Sequence, residues 1–145
     1  MRLLAATDYS LRLLIRLAED PGHYRSTEAL AQAIGVPRNH VQKIVQDLAV
    51  GGFVHTLRGV RGGVLMARPA AEISVGAVVR HMEAGQAMVE CFRADGGACC
   101  LSPDCRLREL LARAQDAFLT VLDGVPLEEC LMPGGMRYMV GDVAN

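Results

Sequence analysis

The sequence predicts a mainly α fold with a small β wing, a winged helix-turn-helix followed by a long dimerisation helix. Three observations predict it. Apolar residues recur at helical spacing in three successive segments, the second and third separated by a sharp turn at Gly35. Two short β-like runs follow, joined by a connector of glycine and arginine. A long amphipathic segment comes last, and its apolar stripe is too long for one small domain to cover, which points to pairing with a second copy.

Each element has its own signals. Leu11, Leu14, Ile15 and Ala18 mark the first helix, with Thr7 or Asp8 as its cap and Asp20-Pro21-Gly22 as its end. Ser26 and Thr27 cap a short second helix through Ala33, and Gly35 stops it. Pro37 suits the first turn of a third helix, whose buried stripe is Val41, Ile44, Val45 and Leu48 and whose end is Gly51-Gly52. The β-like runs are 53–57 and 64–67, and the connector Arg58-Gly59-Val60-Arg61-Gly62-Gly63 permits a tight hairpin because glycine tolerates positive φ. Ser74 caps a fourth helix from 75 to about 84, with Val75, Val78, Val79 and Met82 inward. Residues 85–104 form a cysteine-bearing loop. The last helix runs from 103 to about 123, with Leu107, Leu110, Leu111, Ala114, Ala117, Phe118, Val121 and Leu122 as its apolar positions. From Gly124 onward, Pro126, Pro133 and Gly134-Gly135 predict a loosely structured tail. The chain therefore divides into a winged helix-turn-helix at 1–84, the loop at 85–104, the dimerisation helix at 105–124 and a flexible tail at 125–145.

Composition narrows the function. At 145 residues and 15.6 kDa the chain is one domain, or one domain with an appendage. Apolar residues at 51% and charged residues at 21% exclude a disordered polymer. The run from Leu11 to Ala18 is broken by Arg12 and Arg16 and precedes no cleavage site, so it does not read as a signal peptide. No run approaches the roughly 18–20 apolar residues of a membrane span, and the expectation is a cytoplasmic protein with no membrane partner. The net charge of −1 conceals a split: residues 1–68 hold nine basic side chains against five acidic, and residues 69–145 hold six against eleven. A basic half suits a polyanion.

The third helix has a face to match. Arg38, Asn39, Gln42, Lys43 and Gln46 fall opposite the apolar stripe. Arginine and lysine read guanine edges in the major groove, and asparagine and glutamine read adenine. Arg58 and Arg61 at the hairpin tip would reach phosphates or a minor groove. A solvated surface is the alternative for such a face, but it usually mixes signs, and from Ala29 to Arg68 the only acid is Asp47. The helix, the hairpin and the basic half together point to double-stranded DNA.

Four of the five cysteines, Cys91, Cys99, Cys100 and Cys105, lie within fifteen residues, and Cys130 stands apart. An odd count argues against a closed disulfide framework. The absence of a Cys-x-x-Cys pair weakens both zinc and a thiol–disulfide enzyme, and no base or cofactor motif supports an enzyme of another kind. Soft thiolates on one loop suit an iron–sulfur cluster. Cys105, in the first turn of the long helix, sits where the positive helix end favours the thiolate. Free buried thiols or a disulfide switch are the alternatives. Three thiolates leave a fourth position open to Cys100, Asp8, His81 or Cys130, and spacing does not choose among them.

Several stretches together resemble the winged-helix iron–sulfur transcription regulators typified by NsrR and IscR. They are Thr7-Asp8-Tyr9-Ser10-Leu11-Arg12, Val36-Pro37-Arg38-Asn39-His40-Val41-Gln42-Lys43 and Arg58-Gly59-Val60-Arg61-Gly62-Gly63-Val64. Further along come Ile73-Ser74-Val75-Gly76-Ala77-Val78-Val79-Arg80, Val89-Glu90-Cys91-Phe92 and Cys99-Cys100-Leu101-Ser102-Pro103-Asp104-Cys105-Arg106-Leu107. The resemblance covers residues 1 to about 128. Arg38-Asn39-His40, Val89-Glu90-Cys91-Phe92 and Pro103-Asp104-Cys105-Arg106-Leu107 point to the nitric-oxide-sensing NsrR branch. The IscR branch carries a histidine shortly after its last cysteine, where this chain has Arg106-Leu107-Arg108.

The resemblance implies a homodimeric repressor on a near-palindromic operator, with His40 joining the reading face. It implies a 4Fe–4S cluster ahead of 2Fe–2S, Cys91, Cys99 and Cys105 as ligands, and Asp8 as a carboxylate ligand reached from the partner subunit. Nitric oxide would be the signal that lowers specific DNA binding. Two rival readings are a regulator sensing redox or iron–sulfur status through the same loop and a cluster-free thiol switch. Cys100 departs from the family pattern, and Cys130 lies beyond the matching region.

Overall fold

A computed structural model of the chain describes residues 2–59, 62–101 and 104–131. Within them the order is α1 (Ala5–Ala18), α2 (Thr27–Ile34), α3 (Arg38–Val50), β1 (Val54–Leu57), β2 (Gly63–Met66), α4 (Val75–Met82) and α5 (Arg106–Asp123). Short 3₁₀ turns lie at Ala70–Glu72, Glu90–Phe92 and Leu127–Cys130.

The local signals act as expected in α2, α3 and α4. Ser26 caps α2 by accepting the Ala29 N–H at 3.1 Å, and Gly35 closes it in the left-handed region at φ 66°. Val41, Ile44, Val45 and Leu48 are the buried face of α3, with Pro37 at the cap position just before the helix. Ser74 caps α4 by accepting the Ala77 N–H at 3.1 Å. Val75, Val78 and Val79 are buried there, and Met82 packs against the core from its edge.

The first helix departs from its expected phase and cap. Leu4 is the cap residue, and Thr7 and Asp8 lie inside the first turn. The buried face is Thr7, Ser10, Leu13, Leu14, Leu17 and Ala18, while Leu11 and Ile15 flank it half-buried. Two polar residues on the inward face disguise the stripe. Ser10 is accommodated because its hydroxyl donates back to the Ala6 carbonyl at 2.7 Å. Thr7 is accommodated because its hydroxyl donates to the Glu83 carboxylate.

The wing is an antiparallel pair in the register Val54↔Met66, His55↔Leu65, Thr56↔Val64 and Leu57↔Gly63. Val60 and Arg61, near its tip, lie outside the described residues. Arg25 adds a third rung beside β2: its N–H donates to the Val64 carbonyl at 2.9 Å, and Val64 returns the bond at 2.8 Å. A Cβ on Gly63 would stand 2.6 Å from the Arg25 carbonyl oxygen, so this close pairing requires glycine.

One core unites α1, α2, α3, the wing, Ile73 and Val78 with a residue from beyond α5, the fully buried Leu127. Its N–H donates to the Ile73 carbonyl at 2.7 Å, and the Val125 carbonyl accepts from Val75 at 2.8 Å. The tail expected to be loose from Gly124 is thus docked at Val125 and Leu127, because one buried leucine and two backbone bonds tie it to the core and to the start of α4. Residues 132–145 lie outside the described residues.

The long helix begins at Arg106 with Cys105 at its cap, and the expected start at Pro103 lies outside the described residues. None of its residues is buried. Leu111, Phe118 and Leu122 are partly covered on one side, and Leu107, Leu110, Ala114, Ala117 and Val121 face outward, Val121 at 69% exposure. Among the described residues, no helix is long and apolar enough to cross a membrane.

Candidate nucleic-acid interface and cysteine loop

The core stripe of α3 turns its opposite face to solvent. Arg38, Asn39, His40, Gln42, Lys43 and Gln46 are all exposed on it. Arg38 stands 3.6 Å from Glu28 of α2, an acid just outside the acid-poor stretch noted in the sequence. Arg58 is exposed where β1 ends, and Arg61 lies outside the described residues. These exposed side chains are hydrogen-bond donors and acceptors of the kinds that read base edges. Arg68 behaves differently: it lies over the Phe53 ring, with Cζ 5.8 Å from the centroid, at the root of the wing.

The cysteine loop closes on itself. Cys91 sits in the 3₁₀ turn Glu90–Phe92. Across the loop, the Ala98 N–H donates to the Glu90 carboxylate at 3.3 Å. A Cβ on Gly97 would lie 2.3 Å from the Glu90 carbonyl oxygen, and this residue has φ 58°, so the fold-back requires glycine. Arg93 and Asp95 pair at 2.8 Å, and Asp95 also accepts the Gly97 N–H at 3.0 Å. These two donors, Arg93 first, hold the Asp95 carboxyl below the ordinary carboxylate range. From the other side, Arg108 stacks on Phe92 at 5.7 Å and donates to the Cys91 carbonyl at 3.4 Å.

The chain neighbours of three thiols are thereby brought together: Glu90 and Ala98 beside Cys91 and Cys99, and Arg108 one turn beyond Cys105. Cys91, Cys99 and Cys105 are half-buried, and Cys100 is exposed. All five cysteines are free thiols. Among the described residues, no three His, Cys, Asp or Glu side chains converge on one metal-sized point. Asp8 is paired with Arg12 at 2.7 Å.

The comparisons with known proteins follow the same lines. The family model Rrf2, described as "Iron-dependent Transcriptional regulator", matches residues 3–132. The chain belongs to the Rrf2 family. It is 42% identical over 132 residues to the "HTH-type transcriptional regulator NsrR" of Geobacillus kaustophilus, covering 90% of each chain. It is 39% identical over 130 residues to the protein of the same name from Bacillus subtilis, covering 89% of each. Among solved structures it resembles CymR, the global cysteine regulator of B. subtilis, with TM-score 0.71 and 26% identity, over 90% of this chain and 95% of that one. It also shares its fold with T. potens IscR, with TM-score 0.70 and 20% identity, over 93% and 94% of the two chains. As an NsrR-type Rrf2 regulator, the chain is a DNA-binding transcriptional regulator rather than an enzyme.

Two features of this Rrf2 chain escape sequence reading because their partners are remote. Glu83, just past α4, takes both the Leu4 N–H at 2.8 Å and the Thr7 hydroxyl, placing a carboxylate at the positive end of α1. His81, one of the residues open as a fourth ligand, spends its Nε2–H on the Asp47 carbonyl of α3 at 2.8 Å.

Proposed function

We infer that this regulator is a nitric-oxide-responsive repressor whose cysteine loop holds an iron–sulfur cluster. The observation that carries this reading is the pair of contacts from Ala98 to Glu90 and from Arg108 to Cys91, which collect the surroundings of Cys91, Cys99 and Cys105 while leaving all three thiols free. Three soft donors on one loop fit an iron–sulfur group, and one of them, Cys105, stands at the cap of an eighteen-residue helix. Cys91, Cys99 and Cys105 would hold the cluster, 4Fe–4S ahead of 2Fe–2S, and Asp8 reaching across a homodimer would complete the ligand set. When bound, the cluster supplies the iron at which nitric oxide reacts.

The rest of the mechanism lies in the chain. Asp8 must exchange its Arg12 ion pair for the new contact. That pair is exposed and four residues apart on one helix, so only a few tenths of a kcal/mol oppose the exchange. As an oxygen donor beside three thiolates, Asp8 would be the most weakly held member of that ligand set. Asp8 sits in the first turn of α1, and α1 packs directly on the reading helix α3. The exposed stripe Leu107, Leu110, Ala114, Ala117 and Val121 of α5 would join two copies. Their reading faces, with Arg38, Asn39, His40, Gln42, Lys43 and Gln46 from α3 and Arg58 and Arg61 from the wing, would meet a near-palindromic operator at half-sites about one helical turn apart. Because that spacing is strict, a small reorientation of α1 and α3 would lower specific binding.

The test is anaerobic purification followed by a gel shift on the chain's own promoter region, with and without nitric oxide, beside a visible spectrum. A brown protein containing iron and sulfide, which loses the shift on nitric oxide, supports the reading. A colourless protein whose shift ignores nitric oxide overturns it. Asp8→Ala should weaken the nitric oxide response, and an unchanged cluster with an unchanged response removes Asp8 from the mechanism.

A further inference from the structure

We propose that the end of α4 is the mechanical joint between the cysteine loop and the DNA-reading unit, with His81 and Glu83 as its positioning residues. The proposal rests on the nitric-oxide-responsive reading above.

His81 faces the reading helix. Its Nε2–H donates to the Asp47 carbonyl at 2.8 Å, and the same carbonyl accepts the Gly51 N–H at 3.0 Å at the end of α3. The imidazole meets Phe53 edge-on, with centroids 5.6 Å apart at 66°. A Cβ on Gly51 would stand 2.9 Å from His81 Cδ2 and 2.6 Å from Phe53 Cε2, so the absence of a side chain there is what lets the two rings close over the helix end. Phe53 is in turn covered by Arg68, and its carbonyl accepts the Ala67 N–H at 3.0 Å just after β2. One histidine therefore grips the end of the reading helix and the root of the wing together.

Two residues on, Glu83 faces the other way. Its carboxylate accepts the Leu4 N–H and the Thr7 hydroxyl, and Thr7 is fully buried beside Asp8. The loop that carries the cysteines begins within two residues of Glu83. The Thr7–Glu83 and His81–Asp47 hydrogen bonds are partly buried and costly to leave unmade. The end of α4 therefore cannot shift without carrying both the end of α3 and the start of α1, and a movement of the loop reaches both helices through one point.

The experiment compares full-length wild type with His81→Phe, His81→Gln, Glu83→Ala and Glu83→Gln, all loaded anaerobically. For each, the ratio of operator affinities before and after nitric oxide is measured, together with hydrogen exchange at the Leu4 and Gly51 amides. His81→Phe keeps a ring on Phe53 and removes the donor. Glu83→Ala removes both acceptor contacts. His81→Phe should shrink the affinity ratio by about two- to tenfold, the range one hydrogen bond supports, and Glu83→Ala, which loses two, by at least as much. Exchange should quicken at Gly51 in the first variant and at Leu4 in the second. His81→Gln retains a side-chain N–H, Glu83→Gln retains an acceptor, and each should keep most of the wild-type ratio. If wild type responds to nitric oxide but the disrupting variants lower both affinities equally and keep its ratio, the joint is overturned and the residues are merely structural. A wild type with no response instead overturns the functional reading, and the joint falls with it.

Discussion

Replacing Gly76 by alanine sets two effects against each other on one helix. Alanine is favoured over glycine by at most the roughly 1 kcal/mol of a helix interior, since Gly76 is the second residue of α4. Gly76, however, is the buried point where α4 meets the end of α5. A Cβ there would lie 2.1 Å from Asp123 Oδ1, 2.5 Å from its backbone nitrogen and 2.8 Å from its Cα. The carboxylate can rotate away only by leaving Arg80, which it binds at 2.6 Å, and the backbone atoms cannot rotate at all. Overpacking of this kind costs about 1–3 kcal/mol, so the clash outweighs the propensity gain, and the net loss should be about 1–2 kcal/mol. For a chain of this size that is a fall of about 2–8 °C in Tm. Gly124, one residue past α5, is the control: its φ is −79° and the nearest non-adjacent atom to an added Cβ, the Val121 carbonyl oxygen, is 3.6 Å away. Gly124→Ala should therefore be neutral or raise stability by about 0.4–1 kcal/mol. Calorimetry of both variants checks the pair. A Gly76→Ala protein as stable as the Gly124→Ala protein would refute the close packing of α4 on α5.

Three further outcomes follow from the same geometry. Leu127→Ala should cost about 2–5 kcal/mol by denaturant titration, because the leucine is fully buried in the core; a surface-like loss below about 0.5 kcal/mol would mean the segment after α5 is not docked. Arg38→Ala should weaken operator binding in fluorescence anisotropy by about 1–3 kcal/mol if the guanidinium reads a base, with no change in unfolding midpoint, since its side chain is exposed and its contact with Glu28 is 3.6 Å. The Asp123 carboxyl is held below its ordinary range by the Arg80 hydrogen bond, followed by that residue's charge. A depressed folded-state value contributes stability above the unfolded carboxylate range, about 3.9, and loses it as the pH falls below that range. Asp123→Asn should accordingly narrow the difference in midpoint between neutral and acid pH, and an unchanged difference would exclude the pair from acid unfolding.

The order of elements, the caps at Ser26 and Ser74, the turn at Gly35 and the inward stripe of α3 were all legible in the sequence. Each depends on residues within a turn or two of one another, so the local code contains the whole interaction. The polar face of α3 follows from the same periodicity, and so does the outward stripe of α5. The crowding of four cysteines was visible, because loop length alone limits how far apart their backbones can stand. The phase of α1 was not, because Thr7 and Ser10 read as surface residues until Glu83 and the Ala6 carbonyl are in place to receive them. Leu127 looked like part of a tail because its backbone partner, Ile73, lies more than fifty residues upstream. His81 looked like a spare ligand until it was seen on the Asp47 carbonyl. What sequence conveys here is everything carried by neighbours along the chain. What the fold adds is the set of contacts between remote backbone and side-chain groups, which exist only after the core has closed and brought α1, α3 and α4 to one point.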